Sequence, residues 1–295
     1  MAILYGLAST IIAGRDEEDE GMKQDTARKR VVVVGASTGL GRCISIGLAQ
    51  RGEHVTLLAR RLEMIQDAAQ EAGNDAIAIR CDVIDQDAAK AALDEAAEAM
   101  GGIDTVIYAA AVGPIVRVSD ATPEQWISTF STNVVGASNV SQAALPHLKK
   151  SAGNVIYLST TGASYTAPWG GLSVYQVTKV ALNRLAEHWR IEQPGINFTV
   201  VTIGECGGGE GDAQSHFNVD WDRELMGAFA GDWFARNLLS GSFIDVDHLI
   251  DQLHSLVTAG QSIQVPSMVI IPRPPIPDAG VVAPTDFSEM EKQLH

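Results

Sequence analysis

Short, continuous runs of aliphatic residues alternate with amphipathic segments along most of the chain. A run with no polar alternation is typical of a strand whose two faces are both buried in a parallel sheet. The pattern predicts seven strands, which cover residues 31–34, 54–58, 76–81, 104–108, 154–159, 197–203 and 267–271.

Helical segments lie between most of these runs, with apolar residues every three or four positions. They cover residues 40–51, 62–72, 85–100, 122–150 and 173–192. Strands and helices in alternation imply right-handed crossovers and an open parallel sheet. We therefore predict an α/β fold, with a single Rossmann-type doubly wound sheet of about seven strands and helices on both faces. Such sheets bind ligands outside the carboxyl ends of their strands.

Three segments fall outside this alternation, so we assign one domain to residues 30–272. Residues 1–29 are an N-terminal arm, which is either packed on the domain or on a partner subunit, or disordered. Residues 273–295 are an extended, proline-rich C-terminal tail. Residues 204–241 follow the sixth strand and carry glycines, acidic residues and then large apolar side chains. They form either a substrate lid at the ligand edge of the sheet or an extra helical hairpin.

Composition narrows the classes of partner. The 295 residues carry a formal net charge of −15, whereas nucleic acids and anionic membranes require clustered cationic side chains, so neither is predicted as a partner. The three cysteines, Cys43, Cys81 and Cys206, are widely spaced, which favours neither a disulfide framework nor a zinc site. The seven histidines show no paired metal spacing. We expect no bound metal and a reducing, cytoplasmic setting.

A glycine-rich turn joins the first predicted strand to the first helix. Glycines at this junction allow a tight turn and a close approach of the backbone to a pyrophosphate, and the helix N-terminus supplies amide donors. The residues predicted to contact a nucleotide are Gly35, Ser37, Thr38, Gly39, Leu40 and Gly41. The turn therefore predicts a dinucleotide cofactor.

The end of the second strand indicates which dinucleotide is bound. A carboxylate there would bond the ribose hydroxyls of NAD, whereas arginine accommodates the 2′-phosphate of NADP. The strand ends at Ala59, and Arg60 and Arg61 follow, so we predict NADP over NAD. The alternative is that the two arginines only begin a solvated helix. Asp82, after the third strand, either accepts a hydrogen bond from the adenine amino group or caps the next helix.

Tyr175 and Lys179 are four residues apart in a predicted helix, and Ser159 ends the fifth strand. Four residues are about one helical turn, so the phenol and the ammonium share a face. A nearby cation favours the phenolate and lowers the pKa of a tyrosine. Tyr175 is therefore a candidate general acid or base.

Together these residues resemble the short-chain dehydrogenase/reductase family, in its single-domain branch with a Gly-xxx-Gly-x-Gly turn and a Tyr-xxx-Lys pair. The likeness covers residues 30–272, and the motifs occur in the family's order. They comprise Gly35, Gly39, Gly41, Asp82, Val83, Ala109, Ala110, Ala111, Asn133, Ser159, Tyr175 and Lys179.

The resemblance implies a role for each matching residue. Tyr175 would be the catalytic acid or base, Lys179 would lower the pKa of Tyr175 and hold the nicotinamide ribose, and Ser159 would hydrogen-bond the substrate oxygen. Asn133 would anchor a water in a proton relay to Lys179, and the alternative for Asn133 is a structural amide that distorts its helix. The further residues implied to contact the cofactor are Asp82, Val83, Ala109, Ala110 and Gly204.

The implied activity is the NADP(H)-dependent interconversion of a ketone and a secondary alcohol. An apolar or cyclic substrate is favoured because residues 204–241 contain Trp221, Phe229, Trp233 and Phe234. The resemblance also implies a homodimer or homotetramer built on the helices at 122–150 and 173–192. The alternatives are a catalytically silent NADP-binding sensor or scaffold, and a sugar-nucleotide epimerase or dehydratase with a larger C-terminal domain.

Three departures from the family pattern stand near the predicted site. Val34 replaces a threonine and the sequence Tyr-Ala-Ala-Ala at 108–111 replaces Asn-Asn-Ala-Gly, so two polar groups that tie adjacent strands are both exchanged for apolar ones. Gly162 precedes Tyr175 by thirteen residues rather than about ten, which predicts an enlarged loop beside the substrate. Ile203 stands where the family has proline before Gly204, which suggests a flexible hinge.

Overall fold

The computed structural model of the protein describes residues 28–207 and 217–274. Most of the predicted arm at 1–29 and of the tail at 273–295 lies outside these ranges. The seven strands are β1 (Arg30–Val34), β2 (His54–Ala59), β3 (Ile77–Arg80), β4 (Thr105–Tyr108), β5 (Asn154–Thr160), β6 (Asn197–Ile203) and β7 (Ser267–Ile270). Each predicted strand agrees with the observed one to within one residue at either end.

The strands form one parallel sheet in the order β3-β2-β1-β4-β5-β6-β7. In the register, Val31 of β1 pairs with Val55 of β2 on one side and with Thr105 of β4 on the other. The strand order therefore reverses between β1 and β4, which is where a doubly wound sheet opens a crevice for a ligand. The predicted fold class is confirmed.

The described ranges contain eight α-helices, most of which pack on the two faces of the sheet. They are α1 (Gly39–Gln50), α2 (Leu62–Ala72), α3 (Gln86–Met100), α4 (Pro123–Phe130), α5 (Gly136–Ser151), α6 (Ser173–Glu192), α7 (Arg223–Ala235) and α8 (Val246–Val257). Side chains alternate along each strand, so Val32 and Val34 of β1 enter the core on one face, and Val31 and Val33 enter the core on the other. This two-sided burial accounts for the continuous aliphatic runs in the sequence.

The helix predicted at 122–150 is divided in two. Thr122 and Gln125 form a capping box at the start of α4, and a π-helical turn, Ser131–Val135, separates α4 from α5. A π turn inserts a residue into the helical repeat and is frequent at functional sites. Asn133 lies at the centre of this turn.

Two further helices differ from the sequence predictions. In the described part of 204–241 there is one helix, α7, rather than a hairpin, and Asp222 caps it by accepting from the Leu225 amide. Helix α8 was not predicted, although its buried leucines and isoleucine recur at helical spacing, and Ile250 packs on Gly47 of α1. Within the described residues, no helix is long and apolar enough to cross a membrane.

Candidate active site

A cleft of about 1070 Å³ opens at the carboxyl ends of the strands, on the edge of the sheet predicted to bind a ligand. All of the residues predicted for the site line this cleft except Asn133. Residues from the ends of β1, β2, β4, β5 and β6 meet there, together with residues from α6 and from the segment before α7. One cavity therefore joins the glycine turn to Ser159, Tyr175 and Lys179.

The glycine turn packs against the backbone that follows β4. Gly35 has a φ of +88°, and a Cβ at this position would lie 2.5 Å from the Ala110 amide nitrogen. A Cβ at Gly41 would overlap the Gly35 carbonyl oxygen. Thr38 precedes α1 without a side-chain capping bond, so the first amides of this helix are left for another acceptor. Free amides at a helix start suit a phosphate.

Arg61 joins the tip of β2 to the glycine turn. Its Nη2 donates to Ser37 Oγ at 2.7 Å and to Thr38 Oγ1 at 3.1 Å. Burial and the neighbouring charge of Arg60 lower the pKa of Arg61. An anion bound between these like charges would be stabilised, so the donor set fits the 2′-phosphate of NADP. Arg80 was missed by the sequence analysis and lies beside this pair, since its Nε donates to the Arg60 carbonyl at 3.3 Å.

Asp82 and Val83 lie on the cleft at the end of β3. Asp82 Oδ1 accepts from the amide of Ile84, two residues ahead, at 3.3 Å. Helix α3 is capped by Asp85, whose carboxylate accepts from two amides at 3.0 Å. The alternative that Asp82 caps this helix is therefore wrong, and its carboxylate stays on the cleft.

The departure at β1 and β4 leaves a backbone link between the two strands. The two strand ends stay joined, since the Ala109 amide donates to the Val34 carbonyl at 2.9 Å. The buried Tyr108 hydroxyl donates to the Thr132 carbonyl at 2.5 Å, and a Cβ on Gly136 would lie 2.7 Å from that hydroxyl oxygen. Tyr108 therefore provides a polar link from β4 to the π turn rather than to β1, and the exchange of both inter-strand polar groups for apolar ones stays a prediction.

Asn133 is fully buried and its amide is bonded on both sides. Its Oδ1 accepts from Val112 N at 2.9 Å, and its Nδ2 donates to Val112 O and to Thr178 Oγ1 at 2.8 Å each. Thr178 Oγ1 in turn donates to the Tyr175 carbonyl at 2.6 Å. These bonds support the structural interpretation of the Asn133 side chain, and its role in a water relay stays a prediction.

Ser159 has a hydroxyl that is free to bind a ligand. The residue is 5% exposed, and its Oγ has no hydrogen-bond partner in the described protein. An unpartnered buried hydroxyl costs about 1–3 kcal/mol, which a ligand oxygen accepting a hydrogen bond would recover. Ser159 is thus placed to bind a polar group that enters the cleft.

Lys179 and Tyr175 lie on one face of α6, as predicted. Lys179 is 2% exposed, its Nζ donates to the Leu158 carbonyl at 2.7 Å, and it lies 5.7 Å from the centre of the Tyr175 ring. Burial lowers the pKa of Lys179 to about 8. Burial also raises the pKa of Tyr175, the opposite of the predicted direction. The loss of hydration outweighs the influence of the lysine in the free protein.

An aromatic pair lies over Tyr175. Phe217 contacts the Tyr175 ring edge-on with ring centres 4.7 Å apart, and Trp221 contacts Phe217 at 5.3 Å. Trp221 Nε1 donates to the Gly113 carbonyl at 2.9 Å. Phe217 was missed by the sequence analysis because it stands alone between an acidic, glycine-rich stretch and α7, with no periodic pattern around it.

The enlarged loop before Tyr175 lies against α7, on the border of the cleft. Trp169 of the loop and Trp233 of α7 pack with ring centres 5.4 Å apart, and both line the cleft together with Trp221. Phe229 instead packs on Gly170 and Gly171. Phe229 and Phe234 are not among the residues that line the cleft.

Two cysteines, Cys81 and Cys206, line the cleft. Burial raises the pKa of Cys206 to about 12, and those of Cys43 and Cys81 to about 11. A thiol with a raised pKa carries little nucleophilic thiolate at neutral pH. Between 28 and 207 and between 217 and 274, no group of three or more His, Cys, Asp or Glu side chains is arranged to hold a metal ion.

Comparison with known proteins identifies the family. The family profile described as short chain dehydrogenase matches residues 29–214 of the chain. The chain belongs to the short-chain dehydrogenase/reductase family. Among curated relatives, 11-beta-hydroxysteroid dehydrogenase-like 3 of Arabidopsis thaliana is 32% identical over 187 residues, which cover 61% of this chain and 60% of that protein. An uncharacterized oxidoreductase of Staphylococcus epidermidis is 32% identical over 184 residues, 60% of this chain and 77% of that protein.

Solved structures share the overall fold of this short-chain dehydrogenase/reductase. A dehydrogenase/reductase from Sinorhizobium meliloti has a TM-score of 0.68 at 25% identity, with 83% of this chain and 94% of that chain covered. An alcohol dehydrogenase from Thermococcus sibiricus, complexed with 5-hydroxy-NADP, has a TM-score of 0.69 at 21% identity, with 85% and 100% covered. The match to the Arabidopsis relative spans about 60% of its length.

The buried Lys179 makes the free energy of unfolding of the free protein depend on pH. An unfolded lysine keeps its proton up to its ordinary pKa of 10.5, whereas the buried amine releases it near pH 8. Between these values the unfolded chain binds the extra proton, so the contribution of Lys179 to the free energy of unfolding rises with pH. The rise is at most about 1.4 kcal/mol per pH unit.

Denaturant unfolding of the wild type and of Lys179→Met between pH 7 and 9.5 measures this contribution. The two proteins share the cysteines and tyrosines that titrate in the same range, so their difference in unfolding free energy isolates the lysine. We expect that difference to shift in favour of the wild type above pH 8. A difference that is constant with pH contradicts the assignment.

Proposed function

We propose that the protein is an NADP(H)-dependent oxidoreductase that interconverts a ketone and a secondary alcohol, with Tyr175 as the proton donor and acceptor. One observation carries the proposal. A single cleft brings Ser159, Tyr175 and Lys179 to the same edge of the sheet as the glycine turn and the arginine pair. Family membership supports the same class of reaction.

The cofactor end of the cleft suits NADP. The amides at the start of α1 and the glycines at 35 and 41 would hold the pyrophosphate, and Arg60 and Arg61 would hold the 2′-phosphate. NADP, when bound, supplies or accepts the hydride. Asp82 at the end of β3 is available to the adenine amino group.

The proton would move between Tyr175 and the substrate oxygen. Burial keeps the phenol of Tyr175 protonated in the free protein, which suits it to protonate a carbonyl oxygen during reduction. The unpartnered Ser159 Oγ would donate a hydrogen bond to that oxygen as negative charge develops on it. In oxidation, Tyr175 would accept the proton, and the ammonium form of Lys179 would stabilise the phenolate.

The substrate end of the cleft favours an uncharged, apolar or cyclic ketone. Its walls include Trp169, Phe217, Trp221 and Trp233. Carboxylates line it as well, at Glu205, Asp220 and Asp222. The basic side chains on the cleft in the described ranges are Arg60 and Arg61, which follow β2, and Lys179, whose Nζ is bonded to the Leu158 carbonyl. A substrate carboxylate beside these three acidic side chains would meet like charge.

We also propose a homodimer or homotetramer built on α4, α5 and α6. Exposed aliphatic side chains project from this part of the surface, at Ile127, Val135, Val177 and Val180. Contact with a second copy would remove this apolar surface from water.

Sedimentation velocity of the wild type should give a mass two or four times the chain mass of 31.3 kDa. The double variant Val177→Glu/Val180→Glu should give a smaller mass, because two charges are placed on the proposed contact surface. A monomeric wild type at micromolar concentration would rule the proposal out.

The Tyr175→Phe variant tests the proposed reaction. Removal of the hydroxyl should reduce NADPH oxidation with a panel of cyclic ketones by at least about 100-fold, because the proton donor is lost. The affinity for NADPH, measured by fluorescence titration, should be unchanged. Tyr165→Phe is the matched control, since Tyr165 is exposed on the neighbouring loop and does not line the cleft.

Turnover that survives in Tyr175→Phe would refute the role of this tyrosine. A wild type that binds NADPH tightly but reduces no carbonyl compound in the panel would favour the silent sensor instead. The panel is run with NADPH and with NADH, so it measures the choice of cofactor at the same time.

The Arg61→Ala variant tests the cofactor assignment. Loss of a charge-assisted contact to the 2′-phosphate should raise the Kd for NADPH about 10-fold or more. The Kd for NADH should change by less than about twofold, because NADH lacks that phosphate. Arg184→Ala, on the exposed face of α6, is the control and should leave both values unchanged. An equal increase in the Kd values for NADPH and NADH in Arg61→Ala would show that Arg61 only supports the glycine turn.

A further inference from the structure

The loop that joins β5 to α6, residues 161–172, connects Ser159 to Tyr175. It begins with a short 3-10 turn, Thr161–Ala163, and the amides of Tyr165 and Thr166 donate to the Thr161 carbonyl at 2.8 and 2.9 Å. These bonds fix the first half of the loop. The second half carries Trp169, which lines the cleft.

Gln176 holds both halves of this loop against α6. It follows Tyr175 directly and is 5% exposed. Its Oε1 accepts from the Trp169 amide at 3.0 Å. Its Nε2 lies against Gly162, where a Cβ would overlap it. The Gln176 amide therefore lies between the start and the end of the loop, and the residue also borders the cleft.

The indole of Trp169 is fixed at its far end as well. Its Nε1 donates to Thr166 Oγ1 at 3.0 Å, and its ring packs on Trp233 at 5.4 Å between ring centres. Trp233 Nε1 donates to the Gly170 carbonyl at 3.0 Å. The loop and α7 are thus joined by hydrogen bonds and ring contacts, and Trp169 stands where they meet the cleft.

We propose that Trp169 determines specificity for bulky cyclic ketones and that Gln176 is the positioning residue that sets its ring. The proposal rests on the function proposed above. Gln176 fixes the backbone of Trp169, so the indole presents one rigid face to the cleft. Trp169 and Tyr175 line the same cleft, so a bicyclic ketone with its carbonyl at Tyr175 would contact that face, whereas a small acyclic ketone would leave it uncovered. The contact should therefore favour large substrates alone.

The test compares Gln176→Met with Gln176→Glu, using the bicyclic ketone 2-decalone and the small ketone 2-butanone. Methionine keeps the length of the side chain but loses the hydrogen bond to the Trp169 amide, whereas glutamate keeps an oxygen that accepts from that amide. For Gln176→Met we expect the KM for 2-decalone to rise about 10-fold, kcat to stay within about twofold, and kcat/KM for 2-butanone to be unchanged. In Gln176→Glu, the KM for 2-decalone should return most of the way to the wild-type value.

Two further variants distinguish the proposed effect from a general loss of structure. Trp169→Leu should lower the preference for 2-decalone over 2-butanone to the same extent as Gln176→Met, so the test stands even where Gln176→Met folds poorly. Gln252→Met, on the exposed face of α8, is the matched control and should change nothing. Thermal melting and the Kd for NADPH verify that each variant is folded.

Calorimetric binding of 2-decalone to the protein loaded with oxidised NADP separates this inference from the proposed function. A Kd for 2-decalone that is higher in Gln176→Met than in the wild type supports the positioning role. This result is informative even where the wild type shows no turnover and the proposed reaction fails. A Kd that is the same in the wild type, Gln176→Met and Trp169→Leu overturns the inference. So does a wild type that binds no 2-decalone, or a loss of kcat/KM that is equal for both ketones.

Discussion

One buried amide, that of Asn133, connects the segments on which the site depends. It bonds both backbone groups of Val112, in the segment after β4, and it reaches α6 through Thr178. The removal of a bonded side chain from such a position leaves buried donors and acceptors unsatisfied, at about 1–3 kcal/mol for each group. The π turn around Asn133 brings the amide to this point, so the helical distortion and the placement of Tyr175 have one physical origin.

Much of the fold and of the site follows from local patterns in the sequence. The strands of a parallel sheet are buried on both faces, so they appear as continuous aliphatic runs at the observed positions. The distance of a residue from the end of a predicted strand or helix is enough to predict where the main site residues lie. This holds for the glycine turn, Arg61, Ser159, Tyr175 and Lys179. Because parallel strands end at one edge, residues that are far apart in sequence are brought to one cleft.

The remaining features depend on tertiary contacts that no local pattern contains. The pKa of Tyr175 was predicted in the wrong direction because spacing on a helix says nothing about burial. The bond from Tyr108 to the π turn requires the space left by Gly136, which lies on another element. Phe217 reaches Tyr175 only through the path of the chain before α7. In each case the deciding partner is distant in sequence.

Helix α7 is held by its neighbours more than by its own sequence. Gly227 and Gly231 lie within it, and a Cβ at either position would meet nothing within 4 Å, so close packing does not explain these glycines. Each costs the isolated helix about 1 kcal/mol relative to alanine. The contacts of Phe229 and Trp233 with the loop before Tyr175 offset that cost. The helix and this wall of the cleft therefore stabilise each other, and a change that loosens the loop removes contacts on which the helix depends.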